Sequence, residues 1–479
     1  MANNHHFLLV TIAAQGQINP ARHLARRLAR IAGARVTLAT PLSSHRHLFP
    51  ESLAAAGEPD DSAEETPLNP DGSGIVAYAP YSDGFDEGVM DNVEADLLIG
   101  RLKSVGSQTL ATLVSNFAEQ GYPITCVLHT ILLTWAADVA RDLGIPAIHY
   151  WIQPASVFAI YYHYFQDHQG FASAIAEEKD ASYSIELPGL PTLRMKDLPS
   201  IMSKPNAFLS AHEEIFIDLA KYEKPKVLVN TFYELEASVI DETPEFELIT
   251  VGPVVDKSFV PATTGSKDLF KEDAGDYMKW LDAQEERSVV YVAFGSLTRL
   301  TGRQVEELDR GLKESGRPYL WVLRKDSRPE GAGVERILEE GSGKGKVVEW
   351  CSQVKVLGHK AVGCFVTHGG WNSTSEALVS GVPMVMLPQW IEQATNASVG
   401  IGLRVEAGED KVVDAGELSR GLDVVMGEGE RAKEIRRKAE EWKEKARAAL
   451  AEDGFTDEIP VELYRNIHHL RDNRRHGSF

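Results

Sequence analysis

The stretch VGCFVTHGGWNSTSEALVSGVP (362–383) decides the fold. An apolar run ends at His368, two glycines follow, and a segment with helical spacing begins near Asn372. This order predicts a buried strand, a tight turn and a helix. A helix that begins directly after a strand presents free backbone N–H groups and a partial positive charge. The stretch therefore also predicts an anion site, typically for phosphate.

Apolar runs of the same kind recur on both sides of this stretch. In the N-terminal half they are FLLVTIAA (7–14), RVTLAT (35–40), ITCVLHT (124–130), AIHYWI (147–152), KVLVNTF (226–232) and ELITVG (247–252). In the C-terminal half they are SVVYVAFGS (288–296), PYLWVLR (318–324), KVVEW (346–350) and PMVMLP (383–388). Such runs alternating with helices are typical of parallel sheets covered on both faces. We predict an α/β fold of two doubly wound units, with ligands bound in the cleft beyond the strand ends.

The boundary between the two units is expected where periodicity is lost, after residue 252. We predict an N-terminal domain over 1–250, a linker over 253–275 and a C-terminal domain over 276–461. Within the first domain, Asn19 is expected to cap a helix that begins near Pro20. The acidic segment 58–74, which is rich in Pro and Gly, is expected to be an exposed loop.

Charge and cysteine content exclude several classes of protein. The chain has 479 residues, and 70 acidic against 49 basic side chains give a formal charge of −21, which disfavours nucleic acids and anionic membranes. Its three cysteines show no paired spacing, so neither a disulfide framework nor a metal site is predicted. The first apolar run is too short to span a bilayer. We expect a cytoplasmic monomer without membrane insertion.

Residues 350–393 contain side chains that suit a nucleotide sugar. Trp350 ends a strand and can stack on a base. His368 stands at the phosphate site, and Asn372 and Glu376 share one helix face, where a carboxylate suits paired sugar hydroxyls. Each feature alone is common in ordinary protein cores. Together they predict a site for a nucleotide sugar.

This segment resembles the signature box of the plant family 1 UDP-glycosyltransferases, from Trp350 through HGGWNS to Gln393, and the likeness extends to GQINP (16–20) and VAFGS (292–296). The resemblance implies a GT-B fold of two Rossmann-like domains, an acceptor held by the first, and a tail (462–479) that packs back onto the first. It also implies hexosyl transfer with inversion and without a cofactor or metal. By position, the implied roles are uracil binding by Trp350 and the Cys351 backbone, ribose binding by Gln353 and Glu376, diphosphate binding by Ser296, His368, Asn372 and Ser373, and sugar contacts by Trp371, Glu392 and Gln393.

Two positions in the box bear on the choice of sugar. The closing Gln393 is the residue that the family associates with glucose, so UDP-glucose is the expected donor. Glu392 stands where the family usually has Asp, and its extra methylene shifts the carboxylate by about one bond length. The sugar contacts are expected to differ accordingly.

The positions of the family's catalytic residues are occupied by side chains that cannot serve as a base. The family uses a His to deprotonate the acceptor and an Asp to orient that His; here they are Gln17 and Thr130. An amide takes no proton near neutral pH. Neighbouring side chains on a strand face opposite ways, so His129 is not expected to replace the base. Three readings remain open: an acceptor already ionised, such as a carboxylate; a His-to-Gln substitution made to trap substrate; or a non-catalytic UDP-sugar-binding protein.

The acceptor site is expected near the aromatic segment AIHYWIQPASVFAIYYHYF (147–165). We predict a small hydrophobic metabolite as acceptor, either a phenolic such as a flavonoid, a terpenoid or a hormone. The chain looks most like the subgroup that contains anthocyanin 5-O-glucosyltransferases and hormone glucosyltransferases, where Thr is common at position 130. The candidate contact residues are His149, Trp151, Gln153 and Phe158.

Overall fold

The computed structural model describes residues 5–89, 93–255, 276–329, 337, 344–398 and 402–451. The N-terminal half forms an eight-stranded sheet and a small two-stranded one. Their strands are β1 (His6–Val10), β2 (Arg35–Pro41), β3 (Asp60–Glu64), β4 (Ile75–Tyr81), β5 (Cys126–His129), β6 (Ala147–Trp151), β7 (Ser184–Ile185), β8 (Leu193–Arg194), β9 (Lys226–Val229) and β10 (Glu247–Thr250).

The C-terminal half forms a six-stranded sheet in which all neighbouring pairs are parallel. Its strands are β11 (Val289–Ala293), β12 (Tyr319–Val322), β13 (Gly345–Val348), β14 (Val362–Thr367), β15 (Met384–Met386) and β16 (Leu403–Arg404). The spatial order β13-β12-β11-β14-β15-β16 is the doubly wound order of Rossmann folds, and its direction reverses between β11 and β14.

The first sheet is also doubly wound. Its order is β10-β9-β6-β5-β1-β2-β4-β3, all parallel except for the edge strand β3, and it reverses between β1 and β5. The predicted GT-B arrangement of two Rossmann-like domains is confirmed. Each reversal leaves a crevice at the carboxyl ends of two neighbouring strands, which is where such sheets bind ligands.

Helices cover both sheets, and the strands between them are deeply buried; Phe7, Leu8, Leu9 and Val10 of β1 are 0% exposed. This is why the apolar runs are continuous rather than alternating. The α-helices of the described residues are α1 (Gln15–Ala32), α2 (Leu42–Leu48), α3 (Ala95–Glu119), α4 (Thr134–Asp142), α5 (Ala155–Phe165), α6 (Phe171–Ala176), α7 (Ala207–Leu219), α8 (Tyr233–Asp241), α9 (Asp276–Asp282), α10 (Gly302–Glu314), α11 (Gln353–Leu357), α12 (Trp371–Ser380), α13 (Gln393–Ser398), α14 (Ala415–Met426) and α15 (Glu430–Leu450).

The prediction of an exposed loop over 58–74 is wrong in its first part. Residues 60–64 form β3, which pairs antiparallel with β4. Asp60 is buried because His45 Nε2 lies 2.8 Å from its Oδ2 and Ser52 donates to the same oxygen at 2.5 Å. The partner of this carboxylate comes from α2, so the acidic composition of the segment alone gave no sign of it.

The start of α1 also differs from the prediction. The helix begins at Gln15 after Ala14, so Asn19 and Pro20 lie inside it. Pro20 has no backbone N–H, which leaves the Gly16 carbonyl without its partner in the helix. Asn372 Nδ2, from the other domain, donates to that carbonyl at 2.8 Å. The cost of a proline inside the helix is thus offset by a contact between the domains.

Further contacts join the two domains behind the cleft. Arg27 donates to the carbonyls of Val251 and Ala449 at 3.2 and 3.1 Å. The backbone N–H of Ser200 donates to the Ile391 carbonyl at 2.9 Å. Most of the predicted linker (256–275) and the whole tail (462–479) lie outside the described residues. Within the described part of the chain, no helix is both long and apolar enough to cross a membrane.

Candidate active site

The first half of the site lies where the second sheet reverses its order. Ser296 follows β11, His368 follows β14, and these two strands are neighbours in the sheet. The helix α12 then begins at Trp371, after Gly370, and no side chain caps it. Its first turn therefore directs backbone N–H groups and a partial positive charge into the crevice. The strand, turn and helix predicted from residues 362–383 are confirmed.

The imidazole of His368 is held between two glycines. A Cβ atom added to Gly295 would lie 2.8 Å from His368 Nε2, and one added to Gly370 would lie 2.5 Å from the same atom. Gly295 also has a φ of +71°, a conformation that L side chains rarely adopt. Loss of hydration lowers the pKa of His368 to about 4, so the ring is neutral at pH 7. A neutral ring keeps one N–H to donate to a phosphate oxygen.

A polar cluster lies beside the first turns of α12. Gln353 Nε2 donates to Ser373 Oγ at 2.9 Å and to Glu376 Oε2 at 2.7 Å, while Tyr291 Oη donates to Gln353 Oε1 at 3.3 Å. Gln353 and Glu376 are half-buried, so their side chains are accessible to the hydroxyl groups of a ligand. The two residues predicted to bind the uracil follow β13. Trp350 is half-buried and Cys351 is buried.

The residues predicted to contact the sugar lie between the two domains. The Trp371 indole N–H donates to the Asn230 carbonyl at 2.5 Å. Gln153 Nε2 donates to Glu392 Oε2 at 3.1 Å. Gln393 Oε1 accepts from the backbone N–H groups of residues 389 and 390 at 2.8 and 3.2 Å, which leaves its amide nitrogen for other partners. The bonds of Trp371 and Glu392 thus join two of the predicted sugar contacts to the first domain.

Glu392 is 8% exposed, and its burial governs its charge. Burial raises the pKa of its carboxyl to about 7, although backbone N–H groups of Glu392 and Trp371 partly offset this. The carboxyl therefore lies near the midpoint of its titration at neutral pH. It can either accept or donate a hydrogen bond there.

The second half of the site lies where the first sheet reverses its order. Gln17, near the start of α1 after β1, and Thr130, after β5, come from neighbouring strands. Thr130 Oγ1 donates to Gln17 Oε1 at 2.6 Å, and the two side chains are 0% and 6% exposed. The positions of the family's catalytic pair are thus bonded to each other, but neither side chain is a base near pH 7.

His129 is not at this contact. It is 3% exposed, its Nδ1 lies 3.5 Å from His149 Nδ1, and burial lowers its pKa to about 4. On β5 it faces away from Thr130, as alternation along a strand requires. His149 is equally buried, on β6 next to it.

All four predicted acceptor contacts are buried in this structure. Trp151 and Phe158 are both 0% exposed, and their rings pack edge to face at 5.3 Å inside the aromatic core of the first domain. The Trp151 indole N–H donates to the Pro154 carbonyl at 3.0 Å. His149 and Gln153 are 2% and 5% exposed. Acceptor contact by these residues stays a prediction.

One polar residue that the sequence analysis missed supports the turn that carries Ser296. Arg324 is 6% exposed, and its Nη1 donates to the Gly295 carbonyl at 2.6 Å, while its Nε donates to Asp326 at 2.9 Å. It directly follows the apolar run of β12. A charged residue at the end of a buried strand is the signal that could have identified it. In the part of the chain that the structure describes, no group of three His, Cys, Asp or Glu residues is arranged to hold a metal.

Comparison with known proteins agrees with this geometry. Residues 260–414 match the family described as "UDP-glucoronosyl and UDP-glucosyl transferase". The chain is 41% identical to the chloroplastic crocetin glucosyltransferase of Gardenia jasminoides over 95% of this chain and 96% of that protein. It is 39% identical to the anthocyanidin 3-O-glucoside 5-O-glucosyltransferase 1 of Perilla frutescens, over 93% and 95%.

Solved structures show the same likeness. Os79 from O. sativa, in complex with UDP, superposes with a TM-score of 0.77 at 29% identity over 97% of this chain and 100% of Os79. A UDP-glucosyltransferase from Polygonum tinctorium gives the same TM-score at 26% identity, over 98% and 99%. These similarities show that the chain belongs to the plant family 1 UDP-glycosyltransferases.

Proposed function

We propose that this enzyme transfers glucose from UDP-glucose to a hydroxyl or carboxyl oxygen of a small hydrophobic plant metabolite, such as a phenolic, a terpenoid or a hormone, with inversion at the sugar carbon. The observation that carries the proposal is the helix N-terminus beside His368, clamped between Gly295 and Gly370. It offers donors to a diphosphate without any Lys or Arg in the turn itself. The names of the relatives, which include crocetin, phloretin and anthocyanidin glucosyltransferases, support the choice of glucose and of a small-molecule acceptor.

In this proposal the cluster beside α12 binds the nucleoside and the domain boundary binds the sugar. Trp350 stacks on the uracil, and the Cys351 backbone bonds to it. Gln353 and Glu376 bind the ribose. The remaining roles are diphosphate binding by Ser296, His368, Asn372 and Ser373, and sugar binding by Trp371, Glu392 and Gln393.

The proposed chemistry follows from the lack of a base at the Gln17–Thr130 pair. No base stands at this position, so the nucleophile is an oxygen that is already ionised at pH 7, a carboxylate or an acidic phenol. This anion forms a bond to C1 of glucose as the bond from C1 to the diphosphate oxygen breaks. UDP leaves with the bonding electron pair, and the N-terminus of α12 and His368 stabilise the developing charge. No proton has to be removed in this step.

A second candidate function is UDP-sugar binding without transfer, because the nucleotide site is complete while the catalytic pair lacks a base. The test offers UDP-glucose with a panel of aromatic carboxylic acids and a matched panel of phenols, and measures glucoside formation by mass spectrometry. Calorimetry with UDP runs in parallel. Transfer to carboxylates above phenols supports the proposal, whereas tight UDP binding without transfer to either panel supports the second candidate.

Metal independence, cytoplasmic location and a monomeric state remain predictions. A chelator such as EDTA is expected to leave the transfer rate unchanged. The three cysteines are buried and form no disulfide, which fits a reducing compartment, although one relative is named chloroplastic. A fluorescent fusion in plant cells tests the location, and light scattering tests the monomer.

A further inference from the structure

The two ring nitrogens of His368 face different surroundings. A Cβ added to Gly295 would lie 2.8 Å from Nε2 but 3.7 Å from Nδ1, and one added to Gly370 would lie 2.5 Å from Nε2. Gly370 directly precedes α12, so Nε2 lies at the helix N-terminus, beside the backbone N–H groups of its first turn. A neutral imidazole carries its proton on only one nitrogen, and this choice decides whether Nε2 donates or accepts a hydrogen bond.

The other nitrogen contacts Thr367, the last residue of β14. Thr367 Oγ1 lies 3.3 Å from His368 Nδ1. The same oxygen accepts a hydrogen bond from the backbone N–H of Gly369, also at 3.3 Å. Thr367 is 0% exposed, so its hydroxyl proton needs an acceptor inside the protein.

The pairing of this hydroxyl determines which ring nitrogen is protonated. Among the residues that the structure describes, His368 Nδ1 is the one acceptor within hydrogen-bonding distance of the Thr367 hydroxyl. A proton on Nδ1 would turn that nitrogen into a donor and leave the buried hydroxyl proton without an acceptor, which is strongly disfavoured. With Nδ1 unprotonated, Thr367 donates to the ring and accepts from Gly369. The ring proton then lies on Nε2.

The turn that positions this hydroxyl is itself held by side chains. The Gly369 carbonyl accepts from Asn396 Nδ2 at 2.9 Å and from Thr374 Oγ1 at 3.4 Å. Both Asn396 and Thr374 are 0% exposed. The Gly369 N–H is therefore kept in place against Thr367 Oγ1, and the hydroxyl proton is directed away from it, towards the ring.

We propose that Thr367 is a positioning residue that keeps the ring proton of His368 on Nε2, so that this nitrogen donates to the diphosphate together with the N–H groups of α12. An unprotonated Nε2 would instead direct a lone pair at the phosphate oxygens. The same donor serves the transfer step, because the diphosphate gains charge as its bond to C1 of glucose breaks. This inference rests on the proposed function, which assigns His368 to the diphosphate.

The test compares three threonine variants with the natural protein. Thr367→Val keeps the branched shape and removes the hydroxyl, whereas Thr367→Ser keeps the hydroxyl. The matched control is Thr374→Val, which removes a buried hydroxyl that bonds to the same turn but does not contact His368.

Two properties are measured for each protein. Nitrogen-15 NMR of histidine-labelled protein shows which ring nitrogen carries the proton, and His368→Asn identifies the signals of His368 among those of the 15 histidines. Calorimetry gives the affinity for UDP.

We expect the natural protein to carry the His368 proton on Nε2. In Thr367→Val a fraction of the rings should carry it on Nδ1, and UDP should bind about fivefold more weakly, the loss that corresponds to one ordinary hydrogen bond. Thr367→Ser should restore both the proton position and the affinity. Thr374→Val should change neither.

Each outcome decides for or against the inference. A proton on Nδ1 in the natural protein overturns it, and this measurement needs no variant. A UDP affinity that Thr367→Val leaves unchanged also overturns it. A loss of affinity without a change of proton position overturns it as well, because the role of Thr367 is then structural. A proton on Nε2 that shifts in Thr367→Val, in a protein that binds no UDP, supports the role of Thr367 in placing the proton and overturns the proposed function instead.

Discussion

Replacing Gln17 by His adds the base that the site lacks. In the structure Gln17 is 6% exposed and its Oε1 lies 2.6 Å from Thr130 Oγ1. An imidazole placed there keeps a hydroxyl neighbour but gains no carboxylate to orient it. General base catalysis contributes roughly 10²- to 10⁴-fold, so we expect a gain of about 10² for phenols, the lower end of that range. This corresponds to about 2.7 kcal/mol of transition-state stabilisation.

The same substitution should leave carboxylate acceptors nearly unchanged. Their oxygen is already ionised at pH 7, so a base has no proton to remove. The pH profiles should differ too. For phenols, the variant's rate should rise with pH as the new imidazole loses its proton, at or below its usual pKa of about 6.5. Adding Thr130→Asp to Gln17→His supplies the orienting carboxylate and should raise the phenol rate further.

The assay measures kcat/KM with UDP-glucose for one matched carboxylic acid and phenol pair, in the natural protein and in each variant. Gln15→His is the control, since it adds an imidazole to a buried position on the same turn of α1, away from Thr130. An equal gain of 10² or more for both acceptors would refute the base-free reasoning. No gain for phenols in either variant would show that the lack of a base at position 17 does not limit the rate of transfer.

The site makes two further predictions. Glu392→Gln should flatten the pH dependence of stability. The folded chain keeps the Glu392 carboxyl proton up to about pH 7, whereas the unfolded chain releases it near pH 4.5. In the natural protein this group therefore lowers the free energy of unfolding as the pH rises from 4.5 to 7. Thermal melts between pH 4 and 8 should show the natural protein losing stability relative to the variant as the pH rises. Parallel stability curves for the two proteins would show that the Glu392 carboxyl is not held in its neutral form. Gly370→Ala should weaken UDP binding at least tenfold by calorimetry, because its Cβ would lie 2.5 Å from His368 Nε2. The control is Gly429→Ala, at the start of another helix, where nothing lies within 4 Å of the added Cβ; it should leave UDP binding unchanged. Equal losses of UDP affinity in both variants would show that the fit of His368 against Gly370 is not needed for binding.

The strands were predictable because burial on both faces makes their sequences continuously apolar, as in β1 and β14. The two errors of local structure share a cause. Asp60 can lie in a buried strand because His45 and Ser52 form hydrogen bonds with its carboxylate, and α1 can include Pro20 because Asn372 donates to the Gly16 carbonyl. The partners are 15 residues apart in the first case and 356 in the second, so neither contact is local. Local composition and helix propensity cannot report a contact that only the folded chain creates.

One half of the candidate site was easier to predict from the sequence than the other. The turn at His368 and the helix after it form one segment, so spacing alone located them. The contact between the rings of Tyr161 and His212 depends on two helices that pack side by side only in the folded chain. Aromatic density near residue 151 therefore did not show which of these side chains pack against one another.

The reversal of strand order in each sheet has a consequence for how substrate choice can change over time. In the proposed function, the donor half of the cleft comes mostly from one contiguous segment, residues 350–393, whereas the acceptor half includes Gln17 on α1 and Thr130 after β5, which are far apart in the sequence. Donor preference can therefore pass between relatives as a single cassette. Acceptor preference must instead drift through separate substitutions, each of which has to fit a close-packed interior. On this scaffold, the sugar that is attached should therefore change in single steps, and the compound that is modified only gradually.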